Sequence, residues 1–383
     1  MQRPIYLDCH ATTSVDERVL EAMLPYFRES FGNAASVGHL YGWEAEAAVK
    51  LAREAIAIAI SATPEEIIFT SGATEANNLA IKGVAEAYHP KGRHIITMQT
   101  EHSAVLDPCA YLQSLGFEVT YLPVKSDGLV DLQQLEAAIR ADTILVSVMA
   151  ANNEIGVLQP ISEIGQICHD HQVLFHSDAA QAIGKIPIDV NAMQIDLMSL
   201  TAHKIYGAKG IGALYVRRRP RVNLAPQLHG GGHERGMRSG TLYTPQIVGF
   251  AKALEIAIAS QVEEQQKVLG LREYLWQRLS ELDRIILNGH PTQRLAGNLN
   301  VSFTGVNGAA LMLAVQPVVA VSSGSACTSA KTEPSHVLTC LGHSKELAYA
   351  SIRFGIGRFN TFDEIETVAN HVITSVRSLQ KEL

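Results

Sequence analysis

The sequence has few cysteines, and none of them are paired at the spacing of a metal or redox motif. Its 383 residues include five cysteines, and no two of these form a Cys-x-x-Cys motif. An odd number of widely spaced thiols argues against both a disulfide framework and a zinc site. We therefore expect no resident metal, reduced thiols and a cytoplasmic protein.

Long apolar runs and an excess of positive charge are also missing. No apolar run reaches the roughly 18 residues that a membrane-spanning helix needs, and the apolar stretch 247–259 is interrupted by Lys252 and Glu255. The start of the chain contains no apolar export signal. The formal net charge is -7, whereas nucleic-acid binding needs clustered Lys and Arg. These absences predict a protein that neither crosses a membrane nor binds nucleic acid directly.

The first two thirds of the chain alternate between short apolar segments and helical periodicity. This alternation is typical of an α/β fold, in which helices cover a parallel sheet. Strands are expected at 66–70, 94–98, 117–122, 143–149, 173–177, 196–200 and 211–216. The first long helix is predicted to begin at a capping box formed by Ser14 and Glu17 and to end at Gly32.

The last third of the chain has a different, mixed pattern. We expect a long helix over 243–283, followed by strands near 299–303 and 351–356 and helices near 307–314, 334–341 and 361–380. The chain is long enough for two domains. We therefore predict a large domain over 14–258 and a smaller domain formed by 1–13 with 259–383. Two Gly-rich segments, 229–236 and 321–327, are expected to be loops.

A phosphate-binding turn is predicted where the first of these strands ends. The segment Ser71-Gly-Ala-Thr-Glu75 follows a strand and opens a helical run. The free N–H groups of a helix N-terminus can bind a phosphate there, and Thr74 adds a hydroxyl; a plain helix cap is the alternative. The chain has neither Gly-x-Gly-x-x-Gly after a strand nor Gly-x-x-x-x-Gly-Lys-Ser/Thr, which argues against dinucleotides and nucleoside triphosphates.

Two further strands end in residues that carry chemistry. Asp178 follows an apolar strand, where it can either keep a pyridine nitrogen protonated or cap the next helix. Another strand runs into Thr201-Ala202-His203-Lys204, and an amine in such surroundings can act as a Schiff-base nucleophile. A phosphate turn, a strand-end acid and a lysine, in this order, are what a single pyridoxal phosphate (PLP) site requires.

With these segments the chain resembles the cysteine desulfurases of the housekeeping iron–sulfur assembly type, which are fold-type I PLP enzymes of the class V aminotransferase family. The resemblance covers essentially the whole chain. It rests on these motifs, in order: Ile5–Thr13, Thr100-Glu-His102, Asn152-Asn-Glu-Ile-Gly156, His203-Lys-Ile-Tyr-Gly207, Gly230–Thr241, Ser322-Ser-Gly-Ser-Ala-Cys-Thr-Ser329 and Ser351–Phe359. It implies a large domain with a mainly parallel seven-stranded sheet and a smaller α+β C-terminal domain.

The resemblance also implies a role for each matching residue around the cofactor ring. Lys204 would hold PLP as a Schiff base and later move protons. His102 would stack on the ring and assist acid–base steps, Asp178 would pair with the pyridine nitrogen, and Gln181 would hydrogen-bond the phenolic oxygen.

The phosphate and the substrate would be held by further residues. Thr241 would reach the phosphate from the other subunit of a homodimer. The phosphate contacts within one subunit would be Ala73, Thr74, Thr201, Ala202 and His203. Asn153 would contact cofactor and substrate, and the Arg353 guanidinium would pair with the substrate carboxylate.

Cys327 lies in a run of Gly and small hydroxyl residues that is typical of an exposed loop, about 318–332. Taking sulfur from L-cysteine needs a thiolate that attacks the substrate sulfur. The resemblance implies that Cys327 becomes a persulfide, that L-alanine is released, and that the sulfur passes to an iron–sulfur scaffold or another acceptor protein. Transfer towards tRNA thiolation and a transient iron–sulfur ligand role for Cys327 stay open.

Some positions depart from the family pattern, and other functions stay open. Cys9 stands where tyrosine or asparagine is usual, Ala180 replaces a threonine, and Thr201 replaces a serine. Packing is the simplest role for Cys9, with a redox or metal role as the alternative. A selenocysteine lyase or cysteine-sulfinate desulfinase would share the fold, and a sulfur-transfer platform that docks partners with low turnover is a third hypothesis.

Overall fold

The computed structural model describes residues 3–323 and 333–381. The strands are β1 Ile5–Tyr6, β2 Ile67–Thr70, β3 His94–Met98, β4 Glu118–Leu122, β5 Thr143–Ser147, β6 Leu174–Asp178, β7 Leu197–Thr201, β8 Gly212–Val216, β9 Ile285–Leu287, β10 Asn298–Phe303, β11 Val319–Ala320, β12 Ser322–Ser323 and β13 Ser351–Gly355. The helices are α1 Glu17–Met23, α2 Pro25–Arg28, α3 Leu40–Ile58, α4 Ala73–Tyr88, α5 Ser103–Ser114, α6 Leu132–Ala138, α7 Ile161–Asp170, α8 Thr244–Ala259, α9 Gln261–Leu279, α10 Gly308–Val315, α11 His336–Cys340, α12 Lys345–Tyr349 and α13 Phe362–Lys381.

A seven-stranded sheet with the order β2-β8-β7-β6-β5-β3-β4 lies at the centre of the larger part of the molecule. Strand β8 is antiparallel to both of its neighbours, and the other adjacent pairs are parallel. Strands β2, β3, β5, β7 and β8 are buried along their whole length, which explains why they are continuous apolar runs rather than alternating ones. The predicted α/β fold with a mainly parallel seven-stranded sheet is confirmed.

The carboxyl ends of most of these strands meet at one edge of the sheet. Thr70 at the end of β2 and Thr201 at the end of β7 both pair with Gly212, the first residue of β8. Asp178 at the end of β6 pairs with Ser199 in β7. Parallel strands β5 and β3 end at the same edge, so the residues that follow these strands are brought together.

A second sheet, β12-β13-β10-β9, is antiparallel and packs with α9, α10 and α13 around a core of its own. Leu7 from the start of the chain is buried in this core with Phe354 and Val372, apart from the clusters that flank the central sheet. On this distribution we propose the two domains 14–258 and 1–13 with 259–383. No helix in the described part of the chain is long and apolar enough to span a membrane.

The predicted capping box at Ser14 is wrong. Helix α1 begins after Asp16, whose side chain accepts a hydrogen bond from the Arg18 backbone N–H. The same carboxylate also accepts from the Arg358 guanidinium at 2.9 Å, a contact that fixes the helix start through tertiary structure. The helix ends at Met23, well before Gly32, because a short second helix begins at Pro25.

Two other predicted bounds are corrected. The expected helix over 243–283 is interrupted at Ser260, whose hydroxyl donates to the Ile256 carbonyl at 2.8 Å between α8 and α9. The Gly-rich segment 321–327 is not entirely loop, since Ser322 and Ser323 pair with β13. Residues 324–327, including Cys327, lie outside the described residues.

Candidate active site

The phosphate turn has the form that the sequence predicted. Gly72 adopts φ +152°, and α4 begins at the next residue. Because glycine has no side chain, the first N–H groups of this helix have no N-cap side chain to donate to. The turn lies against β8, because a Cβ on Gly212 would be only 2.7 Å from the Gly72 Cα. Thr74 is exposed beside these free N–H groups. The geometry of the turn is therefore compatible with anion binding at the helix N-terminus.

Lys204 lies in the turn after β7, and the N-terminal segment 8–13 covers it. Its amine donates hydrogen bonds to the backbone carbonyls of His10 and Ala11, the second at 2.6 Å. The neighbouring His203 contacts the Thr12 hydroxyl at 3.2 Å. Burial, with the Lys204 charge as a smaller cause, lowers the pKa of His203 to about 4. The imidazole is therefore neutral at physiological pH.

Asp178 is buried at the end of β6, facing the same edge. Its carboxylate accepts hydrogen bonds from the Asn77 amide at 2.7 Å and from the Ala180 backbone N–H at 2.9 Å. Both hydrogen bonds fix the orientation of the carboxylate. Sequence analysis missed Asn77, which lies one helical turn after Ala73 in α4 and so on the face of that helix that packs on the sheet.

Gln181 is held by three hydrogen bonds that fix the orientation of its amide. Its Oε1 accepts from His10 Nδ1 at 3.1 Å and from the Lys185 amine at 3.2 Å, and its Nε2 donates to the His10 carbonyl at 2.8 Å. With both oxygen lone pairs used, one N–H remains available to a ligand. Lys185, which sequence analysis also missed, is surrounded by protein, and burial lowers its pKa to about 8.

His102 is the exposed N-cap of α5. Its Nδ1 accepts a hydrogen bond from the Ala104 backbone N–H at 3.0 Å, which fixes the ring. Because Nδ1 is used in this way, Nε2 is the ring nitrogen that can contact a ligand. His102 and Thr74 line the same surface cleft, together with Asn78 and Tyr111. The structure thus brings His102, predicted to stack on the ring, and Thr74, one of the predicted phosphate-binding residues, to one opening.

Arg353 lies in β13 of the second sheet and reaches towards the loop after β5. Its Nη1 donates to the Asn153 carbonyl at 2.9 Å, and its Nη2 donates to Asp8 Oδ1 and to the Ser322 hydroxyl, both at 2.7 Å. The predicted substrate residues Asn153 and Arg353 are therefore neighbours. Sequence analysis did not single out Asp8, although it lies in the Ile5–Thr13 motif.

Three predicted cofactor residues are not open side chains of this cleft. Thr201 and Ala202 are buried, so any phosphate contact from them would come from the backbone or the Thr201 hydroxyl. Thr241 is exposed in the segment before α8. Cys327 is outside the described residues.

The donor set fits PLP. A helix N-terminus suits a phosphate, an anionic carboxylate suits a protonated pyridine nitrogen, and a single amide N–H suits an anionic phenolic oxygen. These groups, at Ala73, Asp178 and Gln181, follow strands β2 and β6, and the Lys204 amine follows β7, which lies between β6 and β8 in the sheet.

Relatives and solved structures of the same kind match nearly the whole chain. The model of the family "Aminotransferase class-V" matches residues 5–368. A protein named "Cysteine desulfurase IscS" from Anaeromyxobacter sp. (strain Fw109-5) is 57% identical over 100% of this chain and 94% of its own length. "Cysteine desulfurase, mitochondrial" from Arabidopsis thaliana is 56% identical over 99% of this chain and 84% of its own length.

Two solved structures have the same fold. A chain described as "NIFS-LIKE PROTEIN" superposes with a TM-score of 0.92 at 38% identity, covering 98% of this chain and 100% of that chain. One described as "SspA in complex with cysteine" gives a TM-score of 0.84 at 40% identity, covering 93% of this chain and 100% of that chain. The chain therefore belongs to the aminotransferase class-V family, as a PLP-dependent enzyme of its cysteine desulfurase branch.

Proposed function

We propose that this protein takes sulfur from L-cysteine, releases L-alanine and carries the sulfur on Cys327 to acceptor proteins for iron–sulfur cluster assembly. The observation that carries the proposal is the meeting of Lys204, Asp178 and the turn at Ala73 at one edge of the central sheet, with Arg353 reaching this edge from the second sheet. The cysteine desulfurases that match the full chain support the same reaction.

Bound PLP supplies an electron sink for the carbon atoms next to the departing sulfur. Lys204 would hold the cofactor covalently and move protons. When its amine is not bound to the cofactor, the carbonyls of His10 and Ala11 accept its hydrogen bonds and keep it near the site. Asp178 would pair with the pyridine nitrogen, because hydrogen bonds from Asn77 Nδ2 and a backbone N–H hold its carboxylate in position.

Other side chains would orient the cofactor. Gln181 would donate its remaining N–H to the phenolic oxygen, and His102 would stack on the ring, with Nε2 in reach of the reacting atoms. The phosphate would bind at Ala73, Thr74 and the turn 201–203, where the α4 N-terminus provides free N–H groups.

The substrate would be held by its carboxylate at Arg353, beside Asn153. The Cys327 thiolate would then attack the substrate sulfur. A sulfur–sulfur bond forms, the carbon–sulfur bond breaks with its electron pair left on carbon, and a proton delivered to that carbon completes L-alanine. The product on the enzyme is a Cys327 persulfide, which a thiol or scaffold protein can take up.

A homodimer is part of this proposal, since Thr241 would serve the phosphate of the other subunit. The support is a group of large apolar side chains left exposed around α1–α3 and the segment before α8. They are Leu20, Leu24, Phe27, Phe31, Val37, Leu40, Tyr41, Trp43 and Tyr243. A second copy of the chain would bury this surface and bring Thr241 to the neighbouring site.

A cytoplasmic location is also proposed, supported by the free thiols Cys9, Cys109, Cys168 and Cys340. Burial raises the pKa of Cys9 to about 11, which keeps its thiol protonated and supports a packing role rather than a redox one.

Two alternative functions differ from this proposal in what they require. Selenocysteine lyase and cysteine-sulfinate desulfinase activities need not depend on the Cys327 thiol. A partner-docking platform would show little turnover without its partners.

The test is cysteine turnover by the PLP-loaded protein and its Cys327→Ser variant. We expect the wild type to convert L-cysteine to L-alanine with sulfide released under reductant and no partner protein. Cys327→Ser should keep the PLP absorbance band but form neither persulfide nor sulfide. Cys340→Ser, which removes a half-buried thiol elsewhere, is the matched control and should remain active. Normal desulfuration by Cys327→Ser would contradict the proposed sulfur step, and competition with selenocysteine and cysteine sulfinate would then identify the preferred substrate.

A further inference from the structure

The Arg353 guanidinium is already paired with a carboxylate of the protein, that of Asp8, without any substrate. Its Nη2 lies 2.7 Å from Asp8 Oδ1 and 2.7 Å from the Ser322 hydroxyl, which itself donates to Asp8 Oδ1 at 2.9 Å. The side chain of Arg353 is only 5% exposed and that of Asp8 is 19% exposed. The guanidinium and the Asp8 carboxylate therefore form a largely buried ion pair inside the proposed substrate site.

The rest of the guanidinium is incompletely satisfied. Its Nε–H is buried, and no acceptor for it exists among residues 3–323 and 333–381. A buried donor without an acceptor is costly, and a ligand oxygen would relieve that cost. A carboxylate can bind a guanidinium through two N–H groups in two ways, side-on at Nε and Nη2 or end-on at Nη1 and Nη2. Both forks use Nη2. A substrate carboxylate that uses such a fork must share Nη2 with Asp8.

Asp8 is fixed in this position by the backbone. Its residue forms a bridge with Gly355 in β13, the strand that also carries Arg353. On either side, the Gly355 N–H donates to the Leu7 carbonyl at 2.7 Å and the Cys9 N–H donates to the Gly355 carbonyl at 2.9 Å. The Asp8 carboxylate therefore cannot move far from the guanidinium when a second carboxylate binds.

We propose that Asp8 is a specificity-determining residue that lowers the affinity of Arg353 for the carboxylate of the bound amino acid. The inference rests on the proposed substrate role of Arg353. Two carboxylates on one guanidinium repel each other, so the substrate and the alanine product are held less tightly than by an unshared arginine. In the empty site, the same carboxylate neutralises a charge that would otherwise be buried without a partner. Asp8 thus permits rapid exchange of alanine for the next cysteine.

The test is the Asp8→Asn variant of the full-length, PLP-loaded enzyme. Asparagine Oδ1 can still accept from Arg353 and Ser322, so the hydrogen bonds remain while the negative charge is lost. We expect the inhibition constant for L-alanine and the KM for L-cysteine to fall about tenfold, since a close like charge has been removed. Asp283→Asn removes the same charge from an exposed position and should change neither constant.

A second neutral variant keeps the test decisive if Asp8→Asn folds poorly. Asp8→Ser also removes the charge, with a shorter side chain, and it should tighten alanine binding in the same direction. A purely structural role of Asp8 predicts unchanged constants in Asp8→Asn, and a role in aligning Arg353 through charge predicts weaker binding; either result overturns the inference. If the wild type does not convert cysteine at all, the proposed function fails instead, so the two failures are distinguishable.

Discussion

Protonation of a single buried histidine, His176, affects the stability of the whole protein. His176 in β6 is fully buried between two hydroxyls, with Nδ1 2.8 Å from Ser147 Oγ and Nε2 3.0 Å from Ser199 Oγ. Burial lowers its pKa to about 3. Neutral serine hydroxyls can satisfy a neutral ring but provide no negative charge for an imidazolium, so protonation must oppose folding.

We expect the free energy of unfolding to fall as the pH is lowered. The pKa of His176 is lower in the folded state than in the unfolded state, where it is about 6.5, so the unfolded chain takes up the proton first. The contribution of neutral His176 to the free energy of unfolding is fully present above pH 6.5. Below that pH, the free energy of unfolding falls by about 1.4 kcal/mol per pH unit for each such histidine. Urea unfolding at a series of pH values measures this slope.

His176→Gln should reduce that slope by the contribution of one histidine, whatever it does to stability at neutral pH. His89→Gln removes an exposed imidazole after α4 and serves as the control. An identical slope in wild type and His176→Gln would mean that protonation of His176 is not what destabilises the folded state.

Among the elements, the contact between the turn before α4 and β8 requires a glycine. A Cβ on Gly212 would lie 2.4 Å from the Leu200 carbonyl oxygen and 2.7 Å from the Gly72 Cα, and these backbone atoms have little freedom to move. Glycine at this position lets the turn approach the ends of β7 and β8. The α4 N-terminus is thereby held next to the turn that carries Lys204.

Gly212→Ala should push the phosphate turn away from the sheet. We expect PLP affinity to fall at least about tenfold and the free energy of unfolding to fall by about 1–3 kcal/mol, as for other overpacked sites. Titration of the apoprotein with PLP, followed by absorbance, and urea unfolding measure the two effects. Gly270→Ala in α9 is the control: no described atom lies within 4 Å of its added Cβ, and alanine should stabilise that helix. Unchanged PLP affinity in Gly212→Ala would show that the close approach is not needed for the cofactor.

For the whole molecule, the exposed apolar surface around α1–α3 determines whether the proposed site is complete. Leu40 begins α3 and is 61% exposed, within the apolar group that we propose is buried in a homodimer. Leu40→Glu should convert the dimer to a monomer, because a buried unpaired charge is costly, whereas an acid in the first turn of a helix is favourable for the helix itself.

Sedimentation equilibrium measures the association state, and PLP titration measures the consequence. Since Thr241 would be lost from the neighbouring site, the monomer should also bind PLP more weakly. Leu313→Glu places the same charge on α10, at an apolar side chain that is 65% exposed and far from α3 in sequence, and should leave the dimer intact. A Leu40→Glu protein that remains fully dimeric would contradict this choice of interface.

Local patterns in the sequence determined the elements and the chemistry at their ends. Each of the seven strands of the central sheet was predicted within two residues, because short apolar segments bounded by turn residues identify strands without knowledge of their neighbours. The same locality identified the turn before Ala73 and the groups Asp178 and Lys204, since each directly follows a strand. The cofactor type follows from these three groups and their order along the chain.

Only the tertiary structure decided which partners those groups have. Asn77 meets Asp178 across 101 positions, and Arg353 meets Asp8 across 345, because helix packing and sheet pairing bring them together. Backbone hydrogen bonding and apolar periodicity are encoded over a few residues, whereas a side-chain contact depends on how distant segments pack.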